Sequence, residues 1–280
     1  MKRKLTGVLL PALVFLVGFT VLLYPSLSDL WNQHRQETMI DTYVETVARM
    51  TQEDHSAAWE AAQTYNAGLD VSFHDAFTGE QPGSGDPYWS VLDPEGSGVM
   101  GYIEIPKISV RLPIYHGTGE DALQRGIGHL AGTSLPIGGA GSHCVLSGHR
   151  GLPAALLFTD LDQLAAGDRF YLHVLGETLA YAVDSVAVVE PTEVSNLLPD
   201  AGGDYVTLLT CTPYGVNTHR LLVRGRRVPY VPEETPTITA AEQIVHSFGW
   251  RGKAALAAVG VLTAAALITG LTKKRTKKAE

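Results

Sequence analysis

Residues 205–223 read Tyr205-Val206-Thr207-Leu208-Leu209-Thr210-Cys211-Thr212-Pro213-Tyr214-Gly215-Val216-Asn217-Thr218-His219-Arg220-Leu221-Leu222-Val223. The first six residues suit a β-strand, being β-branched, aromatic or apolar. The strand ends on Cys211. Pro213, Gly215 and Asn217 are turn formers, and a second strand starts at His219-Arg220. A thiol at the end of one strand and a guanidinium on the returning strand make a candidate acyl-transfer site. The thiolate is the nucleophile, and a fixed cation can hold the developing oxyanion. A candidate base, His149, lies in another strand-like stretch, Val145-Leu146-Ser147-Gly148-His149-Arg150-Gly151. Arg150 beside it reads as a surface charge or as the partner of an acid. Each residue also has a plain reading: a buried structural cysteine, an incidental histidine, a charge guarding an edge strand. Spacing does not show that they converge, so the residues alone reach only as far as a Cys-His-Arg acyl-transfer site.

The 280 residues carry a formal net charge of −8, unevenly spread. Residues 25–250 hold 11 basic and 28 acidic side chains, a net of −17, while the remaining basic residues gather at the two ends. So acidic a domain is a poor partner for nucleic acid; it suits a cationic substrate such as a lysine amine. The two cysteines are too few for a disulfide scaffold. Cys144 reads as a small buried side chain, with a bridge or redox pair with Cys211 as the alternative. A zinc site from His143, Cys144, His149 and Cys211 matches no standard structural spacing. There is no Walker loop, Rossmann glycine pattern or His-Glu-x-x-His motif, and no metal or cofactor is expected.

Residues 1–6 form a basic tail and 7–24 an apolar run without a small-x-small cleavage site, read as a membrane anchor. Residues 25–67 predict a stalk helix, with Ile40, Tyr43, Val44, Val47 and Ala48 on one face, Ser28 as an N-cap candidate, and His34 and His55 on the surface. Residues 68–98 are rich in Gly, Pro, Asp and Ser, with aromatics at Phe73, Phe77, Tyr88 and Trp89; a long aperiodic stretch of this kind is more often functional than neutral. From 99 to 227 the pattern is β: short strands separated by glycine-rich turns, with one helical interruption expected at 152–164. This predicts a closed barrel or sandwich. Residues 228–250 form a proline-bearing linker, 251–271 a second span and 272–280 a basic tail. Basic residues mark the cytoplasmic side, so both termini should be inside and the domain between them outside.

Thr207-Leu208-Leu209-Thr210-Cys211 resembles the Thr-Leu-x-Thr-Cys signature of the sortases, the cysteine transpeptidases of Gram-positive cell surfaces. Leu146-Ser147-Gly148-His149-Arg150-Gly151 is similar to their histidine motif, and the strand of Arg220 to their arginine strand, in the same order. Gly98-Val99-Met100-Gly101-Tyr102-Ile103-Glu104-Ile105-Pro106-Lys107-Ile108, followed by Leu112-Pro113-Ile114-Tyr115-His116-Gly117, resembles the pilus-assembling class C members. The likeness covers roughly residues 65–227. It implies an eight-stranded closed β-barrel with an N-terminal helix and a lid loop, flanked by two transmembrane helices. It also implies roles: Cys211 as nucleophile on a Leu-Pro-x-Thr-Gly-like sorting signal, Arg220 at the oxyanion and substrate, and His149 as general acid/base. The implied partners are pilin subunits, a pilin lysine acceptor and the cell membrane. The alternatives are a housekeeping sortase acting on peptidoglycan and a non-catalytic membrane-tethered scaffold.

Class C sortases also carry an Asp-Pro-aromatic lid. Asp75 and Phe77 match its spacing, with Ala76 where proline would fix φ. Asp86 and Tyr88 are the alternative, matching its letters around Pro87. A second departure is Cys144, where the family more commonly has serine.

Overall fold

The computed structural model describes residues 2–69 and 81–232, together with positions 238, 239, 242, 243, 245, 246 and 257. Two helices, α1 (Lys2–Arg49) and α2 (Gln52–Ala67), precede eight strands. These are β1 (Val99–Ile105), β2 (Val110–His116), β3 (Ile127–His129), β4 (Ser142–Ser147), β5 (Arg169–Val174), β6 (Glu177–Val189), β7 (Asp204–Thr212) and β8 (His219–Val228), with a short helix α3 (Glu120–Arg125) between β2 and β3. The strands close a barrel in the order β1-β2-β3-β4-β7-β8-β6-β5. Two neighbour pairs, β2–β3 and β4–β7, are parallel, and the others are antiparallel. A parallel pair needs a crossover. The α3 segment supplies the first and the β5–β6 hairpin the second.

The barrel interior is apolar along alternate positions. Cys144 and Leu146 of β4, Val206 and Leu208 of β7, and Leu221 and Val223 of β8 join the main core with Ile103, Ile114, Phe158 and Phe170. The intervening residues Val145, Leu209 and Leu222 face the other way. They form a second cluster with Leu130 and Leu197, outside the barrel wall. Period-two alternation thus separates an inner from an outer face.

The single stalk helix expected from the apolar face is two helices. Thr51 stops the first: its hydroxyl accepts from Asp54 N at 3.1 Å while the Asp54 carboxylate accepts from Thr51 N at 3.2 Å, a capping box that starts α2. His55 is half-buried, not a surface residue, and its Nε2 donates to Val47 O at 3.1 Å across the break. Ser28 caps nothing, since α1 runs through it. Helix α1 buries Ile40, Tyr43 and Val47 against the barrel. The Tyr43 hydroxyl donates to Met100 O at 3.0 Å and accepts from Leu175 N at 2.8 Å, joining α1 to β1 and to the β5–β6 turn. Arg111 of β2 pairs with Glu37 of α1 and with Glu104 of β1.

The helix expected at 152–164 is a loop with one 3-10 turn, Leu161–Gln163. Its apolar residues plug the barrel: Leu157, Phe158 and Leu161 are buried. Three bonds from α1 stitch the neighbouring loops down: Leu156 N to Asp29 Oδ1 at 2.7 Å, Asn32 Nδ2 to Ala154 O at 2.7 Å, and Gln36 Nε2 to Arg125 O at 3.1 Å. Among the residues whose side chains are described, which leave out 2–16 and 22, no helix is long and apolar enough to cross a membrane. The 251–271 run, apart from position 257, lies outside the described residues, as do Asp75 and Phe77.

Losing the buried Tyr43 hydroxyl strands a carbonyl and an amide. Tyr43→Phe should cost about 1–3 kcal/mol, a fall of roughly 2–10 °C in Tm followed by circular dichroism. An unchanged melting point would mean that α1 is not part of the barrel's cooperative unit.

Candidate active site

The outer face of β7 and β8 carries Cys211 and Arg220, and His149 follows the end of β4 by two residues. In the antiparallel β7–β8 ladder Cys211 lies directly opposite Arg220, and Thr212 opposite His219. Directly opposed residues project on the same side of a sheet. Cys211 continues the outward row of Leu209, and Arg220 that of Leu222. On its other flank β7 runs parallel to β4, with Ser147 opposite Leu209. That pairing continues beyond the strand end. Gly148 N donates to Leu209 O at 3.0 Å, Thr210 Oγ1 donates to Gly148 O at 2.7 Å, and Arg150 Nη1 donates to Thr212 Oγ1 at 3.1 Å. These bonds bracket the backbone of His149 and bring it level with Cys211 at the end of β7. The structure therefore brings Cys211, His149 and Arg220 to one end of the barrel.

Gly148 is required for the approach. A Cβ there would lie 2.7 Å from the Phe158 ring that plugs the barrel end. The chain turns at Gly151 with φ of +81°, a left-handed conformation that favours glycine.

Cys211 is half-buried and free, and burial pushes its thiol upward while the Arg220 guanidinium pulls in the opposite direction. Burial outweighs the guanidinium, and the net shift is upward. Arg220 Nη1 donates to Asn217 O and His219 O, each at 3.3 Å, so carbonyls of its own turn hold the guanidinium. The Nε2 of His149 is buried without a hydrogen-bond partner, and the Glu120 carboxylate at the start of α3 is 3.9 Å from it. That separation is long for a hydrogen bond but within range of an ion pair when the imidazole carries its proton. Over the outer face, the β6–β7 loop folds Leu197 back onto Leu209 and Leu222, giving the site an apolar floor.

Cys144 is buried and free, and lies opposite Val206 in the ladder. Five residues of β7 separate that level from Cys211, about 16 Å at strand rise, too far to bridge. His143 directs one ring nitrogen to Leu198 O and the other to Thr207 Oγ1, within a packed wall. Tyr88 is fully buried; its hydroxyl donates to His129 O at 3.1 Å and accepts from Gly117 N at 2.7 Å. Asp86 caps the 3-10 turn that carries it. His129 lies opposite Leu146, three residues short of His149, so Tyr88 anchors the barrel roughly 10 Å down the strand direction from the candidate base. That environment is a packed core and not a cover over Cys211. Sequence reading passed over Glu120, since α3 had no clear periodic signal, and left Arg150 undecided; Arg150 pairs with Asp162 and is tied to β7.

A protein-family model described as the sortase domain matches residues 103–228. The chain is 29% identical over 213 residues to Sortase A of Bacillus anthracis, an alignment that covers 76% of this chain and 90% of that protein. Sortase C-1 from Streptococcus pneumoniae is 47% identical with a TM-score of 0.65, covering 69% of this chain and all of that one. Sortase C1 from Streptococcus agalactiae is 46% identical with a TM-score of 0.63, again over 69% of this chain and all of that one.

Arg220→Ala removes the charge that opposes burial at Cys211. Alkylation of Cys211 by iodoacetamide should accelerate as pH rises through the alkaline range in the parent protein, and should slow several-fold near neutral pH in Arg220→Ala. Equal or faster alkylation in the variant would show that the guanidinium does not act on the sulfur.

Proposed function

The chain belongs to the sortase family of cysteine transpeptidases, and we propose that it works as a pilus-assembling class C member. It cleaves a Leu-Pro-x-Thr-Gly-like sorting signal between Thr and Gly and passes the threonyl group to a pilin lysine. The observation that carries this reading is the placement of Cys211 opposite Arg220, with the backbone of His149 brought to the same end of β7. The Cys211 thiolate attacks the threonine carbonyl carbon, and the electron pair moves to the carbonyl oxygen. Arg220 holds that oxyanion, a contribution typically worth about 100- to 1,000-fold in rate. His149 gives a proton to the departing glycine amine, leaving a thioester on Cys211. The lysine amine then attacks the thioester, His149 takes its proton, and an isopeptide bond replaces the thioester.

The acidic balance of residues 25–250 favours approach of an ammonium group. The apolar floor beside Cys211 keeps water scarce where an amine must outcompete it. The likeness to sortase C structures over their full length supports class C over a housekeeping enzyme.

The two apolar runs, 7–24 and 251–271, anchor the chain in the cell membrane with both basic ends in the cytoplasm. Helix α1 is unbroken from the first run to Asp29, which bonds the loop after His149. At about 1.5 Å per residue this sets that loop within roughly 10 Å of the end of the apolar run. Asp75 and Phe77 form the lid over Cys211; the packed environment of Tyr88 favours them over Asp86 and Tyr88.

Intact mass of the full chain, mixed in detergent with a Leu-Pro-x-Thr-Gly peptide, should show a thioester adduct that is absent in Cys211→Ala. Adding a pilin lysine peptide should discharge the adduct faster than a peptidoglycan cross-bridge amine does. The reverse order would identify a housekeeping sortase. No adduct would favour a non-catalytic scaffold. Separately, Phe77→Ala should speed modification of Cys211 by a thiol reagent, and an unchanged rate would remove Phe77 from the lid.

A further inference from the structure

Arg150 directly follows His149, and its side chain is only 8% exposed. Its guanidinium reaches in three directions. Nε donates to Thr159 O at 3.1 Å, Nη1 donates to Thr212 Oγ1 at 3.1 Å, and Nη2 pairs with the Asp162 carboxylate. Thr159 and Asp162 belong to the loop that returns past His149, while Thr212 is the residue after Cys211. The backbone reinforces the same clasp: Phe158 N donates to His149 O at 3.1 Å and Gly151 N donates to Thr159 Oγ1 at 3.2 Å.

The histidine needs such a clasp. Its Nε2 has no hydrogen-bond partner, and Glu120 at 3.9 Å is too far to orient the ring. The imidazole therefore takes its place from the backbone that carries it. That backbone leaves β4 at Ser147, so nothing in the β4–β7 ladder beyond Leu209 and Thr210 fixes it. The Arg150–Thr212 bond ties the far side of His149 to the far side of Cys211, and so spans the reacting pair.

We propose that Arg150 is a positioning residue for acyl transfer. It holds the His149 loop in register with the end of β7 through Thr212 and does not touch the reacting atoms. The planar fork is what the position requires, since three acceptors lie in different directions around one buried cation. Lysine offers a point charge on a flexible stem and cannot serve all three. The inference rests on the transpeptidase reading for its kinetic consequence, but the geometry can be tested without substrate.

The test uses the full chain in detergent, with Arg150→Lys, Thr212→Val and both together. The substrate-free readout is cross-linking by 1,3-dibromoacetone, which alkylates Cys211 and then an imidazole within a few ångströms. Tryptic mass spectrometry gives the yield of the Cys211–His149 link. The second readout is transfer of a Leu-Pro-x-Thr-Gly peptide to an amine. A displacement of about 1 Å at reacting groups costs on the order of 100-fold. Both single variants should lose cross-link yield several-fold and lower kcat about 10- to 100-fold, with KM changed less than about threefold. The double variant should be no worse than Arg150→Lys, because the Arg150–Thr212 bond that Thr212→Val removes is already lost there. Cross-link yield and kcat within about twofold of the parent in both single variants would overturn the proposal. If the parent cross-links but transfers no peptide, the transpeptidase reading fails while Arg150 is judged on the cross-link. If Arg150→Lys does not fold, Thr212→Val alone decides.

Discussion

Six parallel pairs with β4 on one flank and eight antiparallel pairs with β8 on the other fix the position of β7. The site is built on those two registers. The β8 ladder sets a guanidinium opposite the sulfur, and the β4 ladder carries the chain to Ser147, two residues short of the histidine. A one-residue slip of either strand would turn its side chain to the other face of the wall. Such slips are expensive here, because alternate residues of β4, β7 and β8 are committed to two different apolar clusters. The core that stabilises the barrel is also what enforces the geometry of the chemistry.

The strand ladders end just short of the histidine, and other devices take over there. Helix α1 reaches the loop after His149 through Asp29 and Asn32 and reaches α3 through Gln36. The Phe158 plug presses against Gly148, where no side chain would fit. Burial of Cys211 then has two opposed effects. It excludes water from a thioester that must wait for an amine, and it pushes the thiol upward, against formation of the thiolate. Arg220 moderates the second effect, and in the proposed mechanism the same residue serves the oxyanion.

Much of this was legible in the chain. The alternation along residues 205–210, the turn after Cys211 and the glycine-punctuated pattern predicted a closed barrel or sandwich over 99–227, and the eight strands of the barrel run from Val99 to Val228. One of them, β3, has three residues, too few for a periodic signal. The helix expected at 152–164 is a loop because its apolar residues serve as a barrel plug, and a one-dimensional pattern does not distinguish a plug from an amphipathic face. The break at Thr51 was written as Thr-x-x-Asp, but the apolar stripe running through it hid the cap. Cys211, His149 and Arg220 were readable as residue types, yet their convergence was not, since it depends on the parallel β4–β7 pairing across an intervening hairpin. Arg150 was undecided for the same reason: its partner Thr212 lies 62 positions away.

The account depends most on Cys211 facing Arg220 across β7 and β8. The direct measurement is disulfide formation in a Cys144→Ser background carrying Arg220→Cys, oxidised mildly and read by intact mass and peptide mapping. Opposed residues on one face have Cβ atoms about 4.5–5.5 Å apart, close enough to bridge with a small adjustment. The account predicts a disulfide between positions 211 and 220, and none in the matching Leu221→Cys protein, whose side chain points into the core. A bridge from position 221 in place of 220 would contradict the register, and with it the site.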